Sequence, residues 1–272
     1  MPMASTSLLI EPAQLHSLLG DARGRFDVDS LAECESTNTL LLERAARGAP
    51  SGSVLVVDRQ TSGRGSRGRS WLASPESSLT FSLLWRFDGG IERISGLSLA
   101  VGLAVVQALE AIGATGVQLK WPNDILHDEA KLGGILVELN TGPRSVQAVI
   151  GIGLNLSVPE NVGDGTGFAL SPTALDRLVS PLPERHALFA RLLIELANVL
   201  DRFADGSFAA LREQWQARNA WQDRPVRLLR EGRVEKEGIC RGADADGALL
   251  VQTAVGIERC LSGDLSVRAS VP

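Results

Sequence analysis

The chain has 272 residues, 44% of them hydrophobic and 22% charged, with a formal net charge of -5. That length suits one large domain plus a small one, and the composition excludes a disordered or low-complexity polymer. The acidic balance excludes a general electrostatic grip on nucleic acid, so any anion site must be local.

After a loosely patterned N-terminal segment, residues 27–31 predict a first strand. Ser36-Thr37-Asn38 then offers capping side chains before an apolar helix at 40–47, which Gly48 stops. Residues 53–57 are a β-branched run with the pattern of a buried strand, and a glycine–arginine loop at 60–70 separates them from another strand at 79–87. No charged leader with an apolar core opens the chain. The apolar stretch 97–112 carries Ser98, Gln107 and Glu110, so the helix predicted over 94–112 belongs in a core and not in a membrane.

Val117, Leu119 and Trp121 alternate toward Pro122. Two further strands, 135–139 and 146–154, are joined by a hairpin turn at Thr141-Gly142-Pro143-Arg144. Amphipathic helices at 184–203 and 208–215 are expected to cover a mixed sheet. From Pro225 the pattern changes to short strands at 226–229, 238–241, 248–251, 257–261 and 265–267, divided by glycine and aspartate turns, as in a small β-barrel. The expected fold class is α+β, with a mixed-sheet domain over 1–221 and a small β-barrel domain over 222–272.

Cys34, Cys240 and Cys260 show no paired spacing, which argues against a zinc site or a disulfide framework and for a reduced, cytoplasmic setting. His16, His127 and His186 are too scattered for a histidine metal cluster or nucleophilic triad. Lysine is rare, and Lys120 and Lys131 fall within one short segment, where a compact ammonium is evidently wanted.

The loop from Gln60 to Trp71 interleaves glycine with arginine. Gly63, Gly65 and Gly68 fit G-x-G-x-x-G, but the run leads into Trp71 and a strand; the dinucleotide motif must open a helix, so that reading is rejected. Arg59, Arg64, Arg67 and Arg69 would repel one another without a counter-charge, and Trp71 offers a surface for a base or an apolar ligand. A ligand-ordered loop therefore fits better than a solvated turn. Lys120-Trp121-Pro122-Asn123-Asp124 ends a strand in a turn that presents an amide and a carboxylate, and Asp124 is a candidate to hold magnesium beside a phosphate. Lys131-Leu132-Gly133-Gly134 puts an ammonium next to backbone that can approach a ligand closely. In Gly151-Ile152-Gly153-Leu154-Asn155 the glycines permit close packing or ligand approach, and the strand ends on an asparagine.

In this order the segments resemble the biotin protein ligase family, in the form without an N-terminal DNA-binding domain. Ser36-Thr37-Asn38 resembles its STN motif, Gly63 to Trp71 its GRGRxGRxW loop, and Lys120 to Asp124 its KWPND signature. Lys131 to Gly134 and Gly151 to Asn155 resemble its KLxGIL and GIGxN segments, and Arg224-Pro225-Val226 with the GALL at 247–250 its C-terminal SH3-like barrel. The resemblance covers roughly 31–268. It implies that biotin carboxylate attacks the α-phosphate of ATP to give biotinyl-AMP, with magnesium, and that a lysine of a biotin carboxyl carrier domain of a carboxylase then attacks the mixed anhydride.

By the same resemblance, Ser36, Thr37, Asn38 and Gln60 meet the ureido head of biotin. Arg64, Gly65, Ser66, Lys131 and Gly133 line its acyl side, with Lys131 and Arg64 catalytic. Arg67, Arg69, Trp71, Lys120, Asn123, Asp124, Asn155, Arg227 and Arg268 gather the nucleotide. The family usually has arginine where this chain has Ser66, so either Arg67 or Arg69 substitutes or the adenylate escapes more readily. About thirty residues precede the match, too few for a winged helix-turn-helix, so neither DNA nor membrane is an expected partner. An exposed strand edge would let the chain pair with the carrier or with a second copy as a homodimer. The rival readings are a lipoate or octanoate ligase of related fold, which needs no ureido-binding Ser-Thr-Asn, and a biotin sensor without catalysis, which would not need the lysine and carboxylate constellation.

Overall fold

The structure is a computed structural model and describes residues 8–142, 145–158, 170–261 and 265–269. The weakly patterned N-terminal segment forms a short helix, Pro12–Leu18 (α1), with proline in its first turn, where a missing N–H costs nothing. It seals Ile10, Leu15 and Leu19 into the core. Strand Asp27–Cys34 (β1) runs parallel to Ser53–Gln60 (β2). Parallel neighbours need a crossover, and helix Thr37–Ala46 (α2) supplies it, starting three residues before the predicted point because Ser36 accepts from the Thr39 N–H as its cap.

The chain then runs antiparallel through Ser78–Asp88 (β3). The predicted helix 94–112 breaks at Ser95 and Gly96, where Gly96 adopts φ +79, and continues as Leu97–Ala111 (α3). This apolar run, 91–111, is long enough by length and composition to cross a bilayer, but α3 lies mostly buried against helix Arg185–Gly206 (α4), as a core helix should. Between them come Val117–Lys120 (β4), Asp124–His127 (β5), Ala130–Thr141 (β6) and Ser145–Asn155 (β7). Of the hairpin turn expected between β6 and β7, Pro143 and Arg144 lie outside the described residues. The predicted helix 208–215 is a tight turn followed by the short helix Arg212–Gln216 (α5).

The seven strands order as β1-β2-β3-β7-β6-β5-β4, a mixed sheet in which only β1 and β2 are parallel. One face carries the main core with α3 and α4. The other holds a small apolar cluster of Leu41, Ala45, Leu84 and Val149 under α2. Strands Pro225–Arg230 (β8), Arg233–Ala243 (β9), Leu249–Thr253 (β10), Gly256–Cys260 (β11) and Leu265–Ala269 (β12) form a second, antiparallel sheet ordered β11-β10-β9-β8-β12, the expected small β domain. It docks on the first through Trp121, whose indole N–H donates to the Gly247 carbonyl at 3.0 Å. At this contact Gly247 (φ +80) lies so close to Gly96 that a Cβ on it would fall 2.6 Å from Gly96 Cα.

Candidate active site

Successive strand side chains alternate between faces, and register places three cross-strand rows on the α2 side of the sheet. Thr80, Gly153 and Gly134 form one row, Ser82, Gly151 and Leu136 the next, and Leu84, Val149 and Glu138 the third. Where α2 covers the sheet, Leu84 and Val149 give the row an apolar floor. Beyond its N-terminus the β7 positions are glycine, and the sheet opens into a cavity of about 370 Å³ under the loop between β2 and β3. The two glycines are required by what drops onto them. A Cβ at Gly151 would sit 2.3 Å from Asn38 Oδ1, and one at Gly153 2.2 Å from the Trp71 ring.

At one end, the buried Thr37 donates from its N–H (2.8 Å) and hydroxyl (3.2 Å) to Gln60 Oε1. Ser82 Oγ lies 2.7 Å from Thr37 Oγ1 and 2.6 Å from Asn38 Oδ1. Asn38 Nδ2 donates to the Leu136 carbonyl (3.1 Å) and to Glu138 Oε2 (2.8 Å). Both its N–H bonds are thus spent within the protein, and Asn38 braces α2 to the sheet instead of offering donors to a ligand.

The loop 61–70 curls into a hairpin held by Trp71 N–H to Gly63 O (2.8 Å) and Gly65 N–H to Arg69 O (2.7 Å). Arg64 crosses the mouth to Glu138 Oε2 at 2.8 Å. Arg69 folds back onto Ser66, donating from Nη2 to Oγ at 3.0 Å, and lines the cavity. Arg67, in a left-handed conformation at the tip (φ 61), donates to the Leu265 carbonyl of β12 and points out of the cavity lining. Of the two arginines that could replace the one absent at Ser66, Arg69 is therefore the one placed to do so.

At the other end, Asp124 is 3% exposed and bridges two ammonium groups, Lys120 Nζ at 2.5 Å and Lys131 Nζ at 2.6 Å. Burial alone would raise the Asp124 carboxyl, but the two lysines outweigh it and hold it well below the usual carboxylate range. Burial lowers Lys120 to about 8, against the pull of Asp124. Its ammonium also sits 5.4 Å from the Trp221 ring centre, behind the cavity wall. Lys131, less buried, reaches the lining and lies 6.0 Å from the Trp71 ring centre. Burial likewise lowers Arg268, which feels Asp124 and Arg69 from β12. Asn155 fixes the wall by donating to the Lys131 (3.2 Å) and Thr173 (3.0 Å) carbonyls, and Asn123 by donating to the Ile135 carbonyl at 2.7 Å.

Ser36, Thr37, Asn38, Gln60, Arg64, Gly65, Ser66, Arg69, Trp71, Asn123, Asp124, Lys131 and Asn155 thus gather around one cavity. Lys120, Arg67, Arg227 and Arg268 do not line it, and Gly134, one residue after the expected Gly133, does. Gly133 alternates with Gly134 along β6 and so faces the opposite side of the sheet, where an ideal Cβ would fall 2.7 Å from the Gly153 carbonyl. Asp124 is a poor magnesium ligand in this arrangement, since the two ammonium groups that bracket its carboxylate already compensate its charge and would repel a divalent cation, and no group of three or more metal-binding side chains occurs among the described residues. Glu138, Ser82 and Thr80 escaped the sequence reading. The alternation of β3 and β6 was the signal that put them on the site face.

The sequence profile of the Biotin/lipoate A/B protein ligase family matches residues 31–155, and that of the Biotin protein ligase C terminal domain matches residues 223–268. The Bifunctional ligase/repressor BirA of Escherichia coli is 35% identical over 270 residues, 96% of this chain and 81% of the relative. The biotin–[acetyl-CoA-carboxylase] ligase of Mycobacterium tuberculosis is 36% identical over 85% of each chain. A biotin protein ligase from Aquifex aeolicus, solved in complex with biotin and ATP, superimposes with a TM-score of 0.76 at 31% identity, covering 90% of this chain and 99% of its own. With both profiles in chain order and relatives above 30% identity along nearly its full length, this chain belongs to the biotin protein ligase family.

Proposed function

We propose that this protein activates biotin with ATP and transfers it to a lysine of a biotin carboxyl carrier domain, and that the cavity between α2 and the arginine loop performs both steps. The observation that carries this reading is the placement of Lys131 and Arg64 around the same cavity as the Ser36-Thr37 and Gln60 group. A polar head and an anionic tail would then be met at once. The match to the biotin ligase C-terminal domain favours this over the lipoate or octanoate reading.

Thr37 occupies the Gln60 carbonyl, which leaves the Gln60 amide N–H groups for the ureido oxygen, with the Ser36 and Thr37 hydroxyls beside them. Leu136, on the cavity face of β6, and Leu170 and Pro172 in the lining give apolar surface for the thiophane ring and valeryl chain. Arg64 and Lys131 offset the repulsion between the biotin carboxylate and the α-phosphate, and Lys131 stabilises the charge that develops as the carboxylate oxygen bonds to phosphorus and pyrophosphate departs. Arg69 takes the phosphate-side charge that the family places at position 66, Trp71 covers the base, and Arg227 and Arg268 approach from the small domain. Magnesium bound with ATP would offset the phosphate charge, and Asp124, its charge already compensated by Lys120 and Lys131, is not assigned to hold it.

In the second step the carrier lysine attacks the anhydride carbonyl and AMP leaves. The loop over the cavity keeps out water that would hydrolyse the intermediate. We divide the chain at 221/222, just after the buried Trp221 and before β8. We assign it to the cytoplasm, which suits its three free cysteines. The β1 edge of the large sheet is the surface we assign to carrier docking or homodimer pairing. Biotin-dependent exchange of label between pyrophosphate and ATP tests the first step; exchange driven by lipoate and not biotin would refute the assignment.

A further inference from the structure

Glu138 lies outside every motif that marks the cavity, yet a single oxygen of its carboxylate joins the cavity's floor to its lid. Oε2 accepts at 2.8 Å from Asn38 Nδ2 below and at 2.8 Å from Arg64 Nη2 above. We propose that Glu138 is a positioning residue for the acyl end of the cavity, holding the Arg64 guanidinium across the mouth and fixing the orientation of the Asn38 amide. The proposal rests on the reading that Arg64 meets the biotin carboxylate.

An anion at the rim of a site for anionic ligands opposes binding, so its presence requires a compensating role. The Asn38 amide supplies one part. Turned over, it would set its oxygen against the Leu136 carbonyl and the Glu138 carboxylate; only the orientation with Nδ2 toward Glu138 and Oδ1 toward Ser82 satisfies every partner. The floor that Asn38 forms over Gly151 is therefore set by a charge on the next strand. The second part is Arg64, on an exposed loop with a side chain rich in rotamers. Ordering such an arginine only when ligand arrives costs conformational entropy, which a contact made beforehand avoids. Glu138 engages one guanidinium nitrogen, and a guanidinium has five N–H donors, so the remaining fork can accept a carboxylate while the pair persists. With its side chain 25% exposed, Glu138 is shielded enough for the pair to fix the direction of the guanidinium.

The test measures biotin affinity, ATP KM and thermal midpoint for the protein, Glu138→Gln, Arg64→Ala and the double variant. Biotin binding is expected to weaken about fivefold in Glu138→Gln, the effect of a part-exposed charged pair, with ATP KM and thermal midpoint unchanged. The double variant should bind biotin no more weakly than Arg64→Ala alone, because the glutamine amide oxygen can still accept from Asn38 and the substitution then acts on binding through Arg64. Equal or tighter binding in Glu138→Gln, or losses that multiply in the double variant, would overturn the positioning role while leaving the Arg64 reading intact. Unchanged binding in Arg64→Ala would remove that reading, and the proposal with it.

Discussion

Replacing Lys120 with methionine removes one of the two ammonium groups that compensate a carboxylate 3% exposed to solvent. Methionine fills a similar volume beside Trp221, so cavity formation adds little. The main consequence is that Asp124 keeps only Lys131. Breaking a buried ion pair from one side costs about 3–5 kcal/mol, and because Lys131 remains at 2.6 Å the low end applies, about 3 kcal/mol. Urea unfolding reads this as a lower midpoint with an unchanged slope. Adding Asp124→Asn takes away the stranded charge and should recover about half of the loss, since an amide is far cheaper to bury than a carboxylate. A loss below about 1 kcal/mol, or a double variant weaker by the sum of both changes, would refute the view that Lys120 serves Asp124 and not a ligand.

The same cluster sets a pH dependence. Burial lowers Lys120 from its ordinary 10.5 to about 8, so above that pH the cluster of two lysines and one carboxylate drops from one net positive charge to none. Adenylation, followed as pyrophosphate release, should decline along an alkaline limb near pH 8 that Lys120→Met lacks. Gly153→Ala puts a methyl group 2.2 Å from the Trp71 ring; the ring must swing away, and ATP KM should rise about tenfold with biotin affinity little changed. For Ser66→Arg, release of biotinyl-AMP after single-turnover activation is the readout. If Arg69 already supplies the missing charge, release should equal that of the natural protein, and slower release in the variant would contradict this.

Most elements were legible because their patterns are local. The β-branched run at 53–57, the apolar helix and the five short strands of the tail each carry their own periodicity. The capping role of Ser36 was also readable, although the helix begins earlier than its apolar stripe. Lys131 and the glycines after it sit inside β6, not before it, because pairing with β5 and β7 overrides the low strand propensity of glycine. Helix α1 escaped notice because so short a helix is stabilised by what it covers.

The site residues found by sequence were those in compact motifs. Glu138 and Ser82 lie in ordinary strand sequence and join the site only through register. The roles expected of Lys120 and Asn38 also depended on partners remote in sequence or hidden by burial. A lysine in a polar turn reads as a ligand contact until Asp124 and Trp221 are seen to enclose it.

The most direct test of the ligase assignment is transfer of biotin to a purified, unmodified carrier domain, with ATP, by this protein and by Lys131→Ala. Incorporation that requires ATP and falls about a hundredfold in the variant is the expected result. Transfer of lipoate or octanoate in place of biotin, or equal incorporation by Lys131→Ala, would contradict it.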